Sequence, residues 1–343
     1  MRFVTDLNKG ILGKPDSPAM WQEIIASIPD EVFLKKDLKI LNVAFGHGTE
    51  ADVIVKRMLS LGRTVDEIKN SMYLLDKYSV FTKDARRKGY TNIIQADFIN
   101  WETDMKFDVV VGNPPYQNTH TAKRWPLWHQ FISKATELSD KVLFVVPASL
   151  LGPSDTLSNV KQHLKFVDLD AEQYFNVGST FCWFDYEKGY AGNTTIKSKD
   201  VTYDVNLALY GFVPTELSPE IIDMYKYLKG NRVWKRGEFH TSNESWKADN
   251  GITTVNHTGA QTLFTNNKHE NINKIRVGVT LSGYPKFKAV QGEGFTQANF
   301  WTEFETLEEA KEFADYCNSD AVQKVLATFK WSGWNSKEVI QKL

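Results

Sequence analysis

Short apolar runs alternate, through the first half of the chain, with stretches whose apolar residues recur three and four apart. Lys39–Val43, Ser71–Asp76, Thr91–Phe98, Phe107–Gly112 and Lys141–Pro147 have the length and composition of strands. Between and before them, Trp21, Ile24, Ile25 and Ile28, then Val53, Ile54, Met58 and Leu59, then Trp125–Leu138, keep helical spacing. Ser17 and Pro18 stand where a helix N-cap and first helical residue belong. Strands alternating with helices predict an α/β fold, a mostly parallel sheet with helices on both faces. From Phe166 the rhythm changes: Thr180–Tyr186 is an aromatic β-type run, and a turn over Gly189–Asn193 leads to Thr194–Ile196, the pattern of a hairpin. Beyond about residue 215 the alternation is gone. Thr306 and Glu309 have capping-box spacing and open an amphipathic helix expected to run to about Phe329. This divides the chain into residues 1–214 and 215–343, the second part of α+β character.

The fourth strand is the most informative. Val109, Val110 and Val111 suit a strand buried on both faces. It ends at Gly112-Asn113-Pro114-Pro115-Tyr116, where two prolines remove ladder donors and stiffen an extended exit. Open α/β sheets bind ligands at the carboxyl ends of their strands. There the Asn113 carboxamide and the Pro114 carbonyl offer two acceptors for an exocyclic amine, and Tyr116 offers a face for a planar base.

Other strand ends carry matching features. The first runs into Gly46-His47-Gly48, where glycines let the backbone approach a ligand. The second ends in Asp76, placed to accept from ribose hydroxyls, and the third in Asp97-Phe98.

Composition narrows the class. The 343 residues are 42% hydrophobic and 24% charged, ordinary for a globular protein. Two cysteines, Cys182 and Cys317, give neither a disulfide framework nor metal-ligand spacing, so no metal is expected. No apolar run has the length of a membrane span and no signal-peptide pattern opens the chain, which predicts a cytoplasmic setting. A formal net charge of −1 does not advertise nucleic acid. Between Ile221 and Val290, however, eleven Lys and Arg stand against five Asp and Glu, with Lys235, Arg236, Lys286 and Lys288 interleaved with aromatics. Lys123 and Arg124, in the polar stretch after Tyr116, are further candidates for phosphate contact.

The ordered set of a Ser-Pro helix, Gly-x-Gly, a strand-end acid, Asp-Phe, Asn-Pro-Pro-Tyr, an aromatic strand and a basic C-terminal part resembles the gamma class of N6-adenine DNA methyltransferases. The motifs span about residues 10–190; the rest matches in position and character only. The resemblance implies a Rossmann-like methyltransferase sheet over residues 1–214, a target-recognition region over 215–343, and S-adenosylmethionine as cofactor. It implies cofactor contacts from Ser17, Pro18, Ala44, Phe45, Gly46, Gly48, Asp76, Asp97, Phe98 and Asn113, with Asn113, Pro114, Pro115 and Tyr116 as the catalytic loop. Tyr116 and Phe181, with Trp183 as second choice, would hold a flipped adenine between two rings. The implied partner is double-stranded DNA, in a bacterial cell or phage-infected host. The sequence departs from the family at Asn42, where an acid is frequent, at Phe45, where Cys is frequent, and at His47, where Ser or Thr is frequent. Asn-Pro-Pro-Tyr also occurs in methyltransferases of RNA adenine, of cytosine N4 and of protein glutamine. The glutamine enzymes usually place their substrate domain first, unlike this chain. A subunit that binds nucleic acid without catalysis is the remaining alternative.

Overall fold

The structure, a computed structural model, describes residues 17–117, 126–175, 180–199, 201–257, 262–331 and 334–343. The chain divides into two units, one comprising residues 1–151 and 156–211 and the other 152–155 and 212–343.

The first unit is built on a nine-stranded sheet. Its strands are β1 (Ile40–Val43), β2 (Met72–Asp76), β3 (Asn92–Gln95), β4 (Val109–Gly112), β5 (Lys141–Pro147), β6 (Leu164–Asp168), β7 (Phe181–Glu187), β8 (Thr194–Ser198) and β9 (Val201–Val205). They lie in the order β3-β2-β1-β4-β5-β7-β6-β8-β9. The first five are mutually parallel, in the 3-2-1-4-5 order of doubly wound sheets. Helices α1 (Pro18–Ala26), α2 (Thr49–Ser60), α3 (Val65–Ser71), α4 (Ser79–Arg87) and α5 (Trp128–Leu138) cover it. Val109, Val110 and Val111 are fully buried, as a strand covered on both faces requires. The stripe of α1, Met20, Trp21, Ile24 and Ile25, is buried against α2.

The hairpin expected from Thr180 to Ile196 does not form. β7 runs antiparallel to β5 and to β6, and β8 pairs with the far side of β6. β8 thus lies between β6, which precedes β7 in the chain, and β9, which follows it; the pairing with β6 is one that local turn signals do not encode.

The second unit holds a four-stranded antiparallel sheet, β10-β16-β13-β14, and a three-stranded one, β12-β11-β15. These strands are β10 (Lys235–Arg236), β11 (Thr253–Asn256), β12 (Thr262–Thr265), β13 (Ile275–Thr280), β14 (Phe287–Val290), β15 (Gly294–Phe295) and β16 (Asn299–Phe304). Its core contains a buried ion pair: the Arg276 guanidinium donates to both Glu238 carboxylate oxygens at 3.1 Å and lies over the rings of Phe295 and Trp301. The helix opened at Thr306 is two helices, α6 (Leu307–Asn318) and α7 (Asp320–Thr328). The break falls where the Asn318 side chain leaves the helix pattern to pair with both the amide and the carbonyl of Phe287, and Ser319 is extended. The capping box at the start of α6 is present. Thr306→Ala should therefore lower stability by about 1 kcal/mol, read as a shift of the urea midpoint. An unchanged midpoint would mean that the box contributes nothing.

Candidate active site

Two neighbouring strands diverge at the centre of the large sheet. β1 pairs with β4, Val43 opposite Gly112, and the strand order reverses here, so the chain turns away on opposite faces after each. Gly112 is required: a Cβ there would lie 2.5 Å from the Val43 carbonyl oxygen. The loop after β1 and the Asn-Pro-Pro-Tyr loop after β4 consequently leave from adjacent positions.

The loop after β1 is wound tightly. Ala44 and Gly46 have φ of 51° and Gly48 has 77°, and α2 begins at Thr49. A Cβ on Gly46 would meet nothing nearer than the Ala44 oxygen at 4.0 Å, so space lies over this glycine. Asp76, at the end of β2, ties the loop down. Its carboxylate accepts from the Gly46 amide at 3.0 Å and the Tyr78 amide at 2.8 Å. Burial pushes its pKa above the ordinary aspartate value, and those amide bonds only partly oppose the rise. Phe45 is buried, whereas His47 is exposed with its ring edge-on to Phe81 at 5.1 Å.

Glu50 escaped the sequence reading. It is 2% exposed, in the first turn of α2, and accepts from the Asn42 carboxamide at 3.1 Å. The missing acid of Asn42 is thus matched by a carboxylate eight residues later on the same side of the loop. Its place in the first turn beside Ala51, Val53 and Ile54 does not distinguish it from the neighbouring acid Asp52 in the sequence.

At the end of β3, Asp97 is exposed and accepts from the Ile99 amide as a local cap. Phe98 turns inward: it is 2% exposed, 5.1 Å from the Phe131 ring, with the Lys134 ammonium over its face. The ring expected to pack on a cofactor is here a core residue beneath α5. Ser17 begins the described chain, its hydroxyl making no capping bond, and Pro18 is the first residue of α1.

In the loop after β4, Asn113 and Tyr116 are half-buried, Pro114 is buried and Pro115 is exposed. Two contacts close the loop on itself. The Tyr116 hydroxyl donates to Asn113 Oδ1 at 2.6 Å. The Tyr116 ring lies 4.8 Å from that of Phe181, at an interplanar angle of 35°. Phe181 reaches this edge because β7 is antiparallel, its first residue opposite Pro147 at the end of β5. Phe175 adds a third ring, 4.7 Å from Phe181. A base held between two rings needs centroids roughly 7 Å apart, two van der Waals gaps of about 3.5 Å. Tyr116 and Phe181 are in direct contact instead. Trp183 is buried against Phe166 at 4.9 Å.

The basic candidates separate into kinds. Lys123 and Arg124 lie outside the described residues. In the second unit Lys235 and Arg236 are exposed, their cationic ends over Trp301 and Phe300. Lys286 is exposed, but Lys288 is paired with Glu293 at 2.7 Å and bonded to Asn256. Its charge is used to join the two sheets of that unit. Among the described residues there is no cluster of metal-ligating side chains, and no helix is long and apolar enough to cross a membrane.

Comparison with known proteins finds similarity over part of the chain. An adenine-specific methylase of Mycoplasma pneumoniae, itself uncharacterized, is 27% identical over 155 residues, which are 38% of this chain and 35% of that protein. The match thus spans about a third of the length of this curated relative. Among solved structures, a type I restriction-modification methyltransferase subunit from Streptococcus thermophilus superposes with a TM-score of 0.40 at 15% identity, over 62% of this chain and 53% of that one. A Listeria monocytogenes protein assigned to the class I S-adenosylmethionine-dependent methyltransferases gives 0.41 at 15% identity, over 55% and 67%. The family model described as Eco57I restriction-modification methylase matches residues 51–175, a span that includes Asp76, Asp97 and the loop from Asn113 to Tyr116. Over these residues the chain is similar to the Eco57I restriction-modification methylase family.

Proposed function

We propose that this protein transfers a methyl group from S-adenosylmethionine to N6 of an adenine flipped out of double-stranded DNA. The observation that carries the reading is the exit of two loops side by side at the point where the strand order reverses. One is glycine-rich and tied to a buried acid; the other presents a carboxamide behind two prolines.

The residues fit the cofactor. Space lies over Gly46, and the Asp76 carboxylate has about four lone-pair directions, two of them taken by backbone amides. Gly46 and Gly48 would hold the methionine part and Asp76 the ribose hydroxyls. When bound, S-adenosylmethionine supplies an electrophilic methyl on sulfonium. The adenine amine is a poor nucleophile because its lone pair is delocalised into the ring. Asn113 Oδ1 and the Pro114 carbonyl would accept its two hydrogens, favour a tetrahedral nitrogen and stabilise the positive charge that develops. Fixed acceptors beside the cofactor loop also supply in-line positioning. No general base is needed before transfer, since the product ammonium is itself strongly acidic. A base inside a duplex cannot reach such a loop and must leave the stack.

Incubating the purified chain with labelled S-adenosylmethionine and DNA, then digesting to nucleosides, tests the reading. It expects label in N6-methyl-2′-deoxyadenosine; label in N4-methyl-2′-deoxycytidine, or none in DNA, would overturn it.

The second unit supplies the DNA contacts in this reading. Lys235 and Arg236, exposed on β10, are suited to phosphate. Replacing both by Ala should lower the slope of log affinity against log salt by about two and leave cofactor binding unchanged. An unaltered slope would put the DNA surface elsewhere.

A further inference from the structure

The contact between Tyr116, Asn113 and Phe181 has the form of the interaction that the proposed reaction needs, made with a side chain in place of the substrate. A flipped adenine would present a planar ring to Phe181 and an N–H donor to Asn113 Oδ1. Tyr116 presents a planar ring to Phe181 at 4.8 Å and an O–H donor to Asn113 Oδ1 at 2.6 Å. The match extends to burial: Phe181 is 5% exposed, so the face Tyr116 covers is one a base could reach only after that ring moves. Nor can the base slide in beside it, since two stacked gaps require centroids about 7 Å apart.

We infer that Tyr116 holds the place of the target base and that the methyl acceptor enters by displacing its ring and its hydroxyl together. The inference rests on the proposed function for the identity of the acceptor, but not for the displacement. Tyr116 thereby sets specificity as well as supplying a face. A ligand must offer both a flat π-surface and a hydrogen-bond donor to replace what it removes. A flat ring without a donor does not replace the hydrogen bond that Tyr116 gives Asn113 Oδ1. The displaced tyrosine is then available as the second face of the sandwich. The pair also protects the loop, because a half-buried carboxamide stays hydrogen-bonded before DNA arrives.

The closed form competes with every ligand of this site, so apparent affinity is intrinsic affinity reduced by the fraction of open molecules. Tyr116→Phe keeps the ring and removes the hydroxyl bond. Ligand-observed NMR titration of the full chain with adenosine, with purine riboside, which lacks the amine, and with cytidine reads the effect. Tyr116→Phe should bind adenosine and purine riboside each about fivefold more tightly than the wild type, the factor of one neutral hydrogen bond. Asn113→Ala, which removes the acceptor used by the cap and by the amine alike, should tighten purine riboside but not adenosine. A side chain that merely braces the loop would give Tyr116→Phe unchanged or weaker binding, and that result overturns the inference. Absence of binding in every variant overturns it too, because loosening the cap would have opened nothing. If the gain appears for cytidine and not for adenosine, the adenine reading falls and the displacement stands. If DNA adenine is methylated while Tyr116→Phe binds no ligand more tightly, the displacement falls and the reaction stands.

Discussion

Asn113→Ala is expected to slow single-turnover methyl transfer by roughly 10²–10³-fold, the usual effect of deleting one preorganised group from a charge-stabilising site. The acceptor lies at the root of the loop, on a residue held between fully buried β4 and two prolines, so little reorganisation is needed as charge builds on the amine. The loss should therefore fall on the rate at saturating DNA and cofactor, with a much smaller change in cofactor affinity. Measuring the burst of a single turnover, rather than steady-state turnover, separates chemistry from product release. Transfer to adenine at the wild-type rate would show that this loop is not the catalytic one, and the proposed reaction would fall with it. Thermal unfolding of the same variant controls for collapse of the loop, because the bond from the Tyr116 hydroxyl to Asn113 is lost at the same time.

Asp76→Ala should weaken S-adenosylmethionine binding by about two orders of magnitude or more in calorimetry. Hydrogen bonds to a charged group contribute about 1.5–3 kcal/mol each. Two ribose bonds are in question, and the Gly46 loop loses its tether as well. The same residue predicts a pH dependence. The acceptor is the carboxylate, and burial places its pKa above the ordinary aspartate value. Affinity should therefore hold above that raised pKa and fall as pH drops through it, starting at a higher pH than for an exposed aspartate. Asp76→Asn should bind more weakly at neutral pH and lose the acid limb. Wild-type affinity in Asp76→Ala would remove this residue from the site.

Local pattern made much of the first unit legible. Three valines followed by Gly-Asn-Pro-Pro announce a buried strand and its end, and a glycine pair between a strand and a helix announces a tight turn, whatever the rest of the chain does. Both follow from steric and hydrogen-bonding rules that act within a few residues. The helical stripes, the capping box at Thr306 and the β-rich character of Phe181–Glu187 are of the same kind. The single helix expected to Phe329 is broken because Asn318 finds a partner in Phe287, thirty-one residues away.

What the sequence by itself determined is therefore the succession of elements and the chemical group that each strand end carries, because periodicity, turn residues and caps are short-range. The tertiary structure alone decided which groups meet. It put β6 between β7 and β8, turned Phe98 into the core, paired Asn42 with Glu50, and gave Lys288 an acid partner in the turn before β15. Above all it set Tyr116 against Phe181 and Asn113. Side-chain direction and strand pairing depend on burial and on contacts distant in sequence, and no spacing along the chain encodes them. A hydrophobic ring buries its face against whichever partner the fold brings within reach.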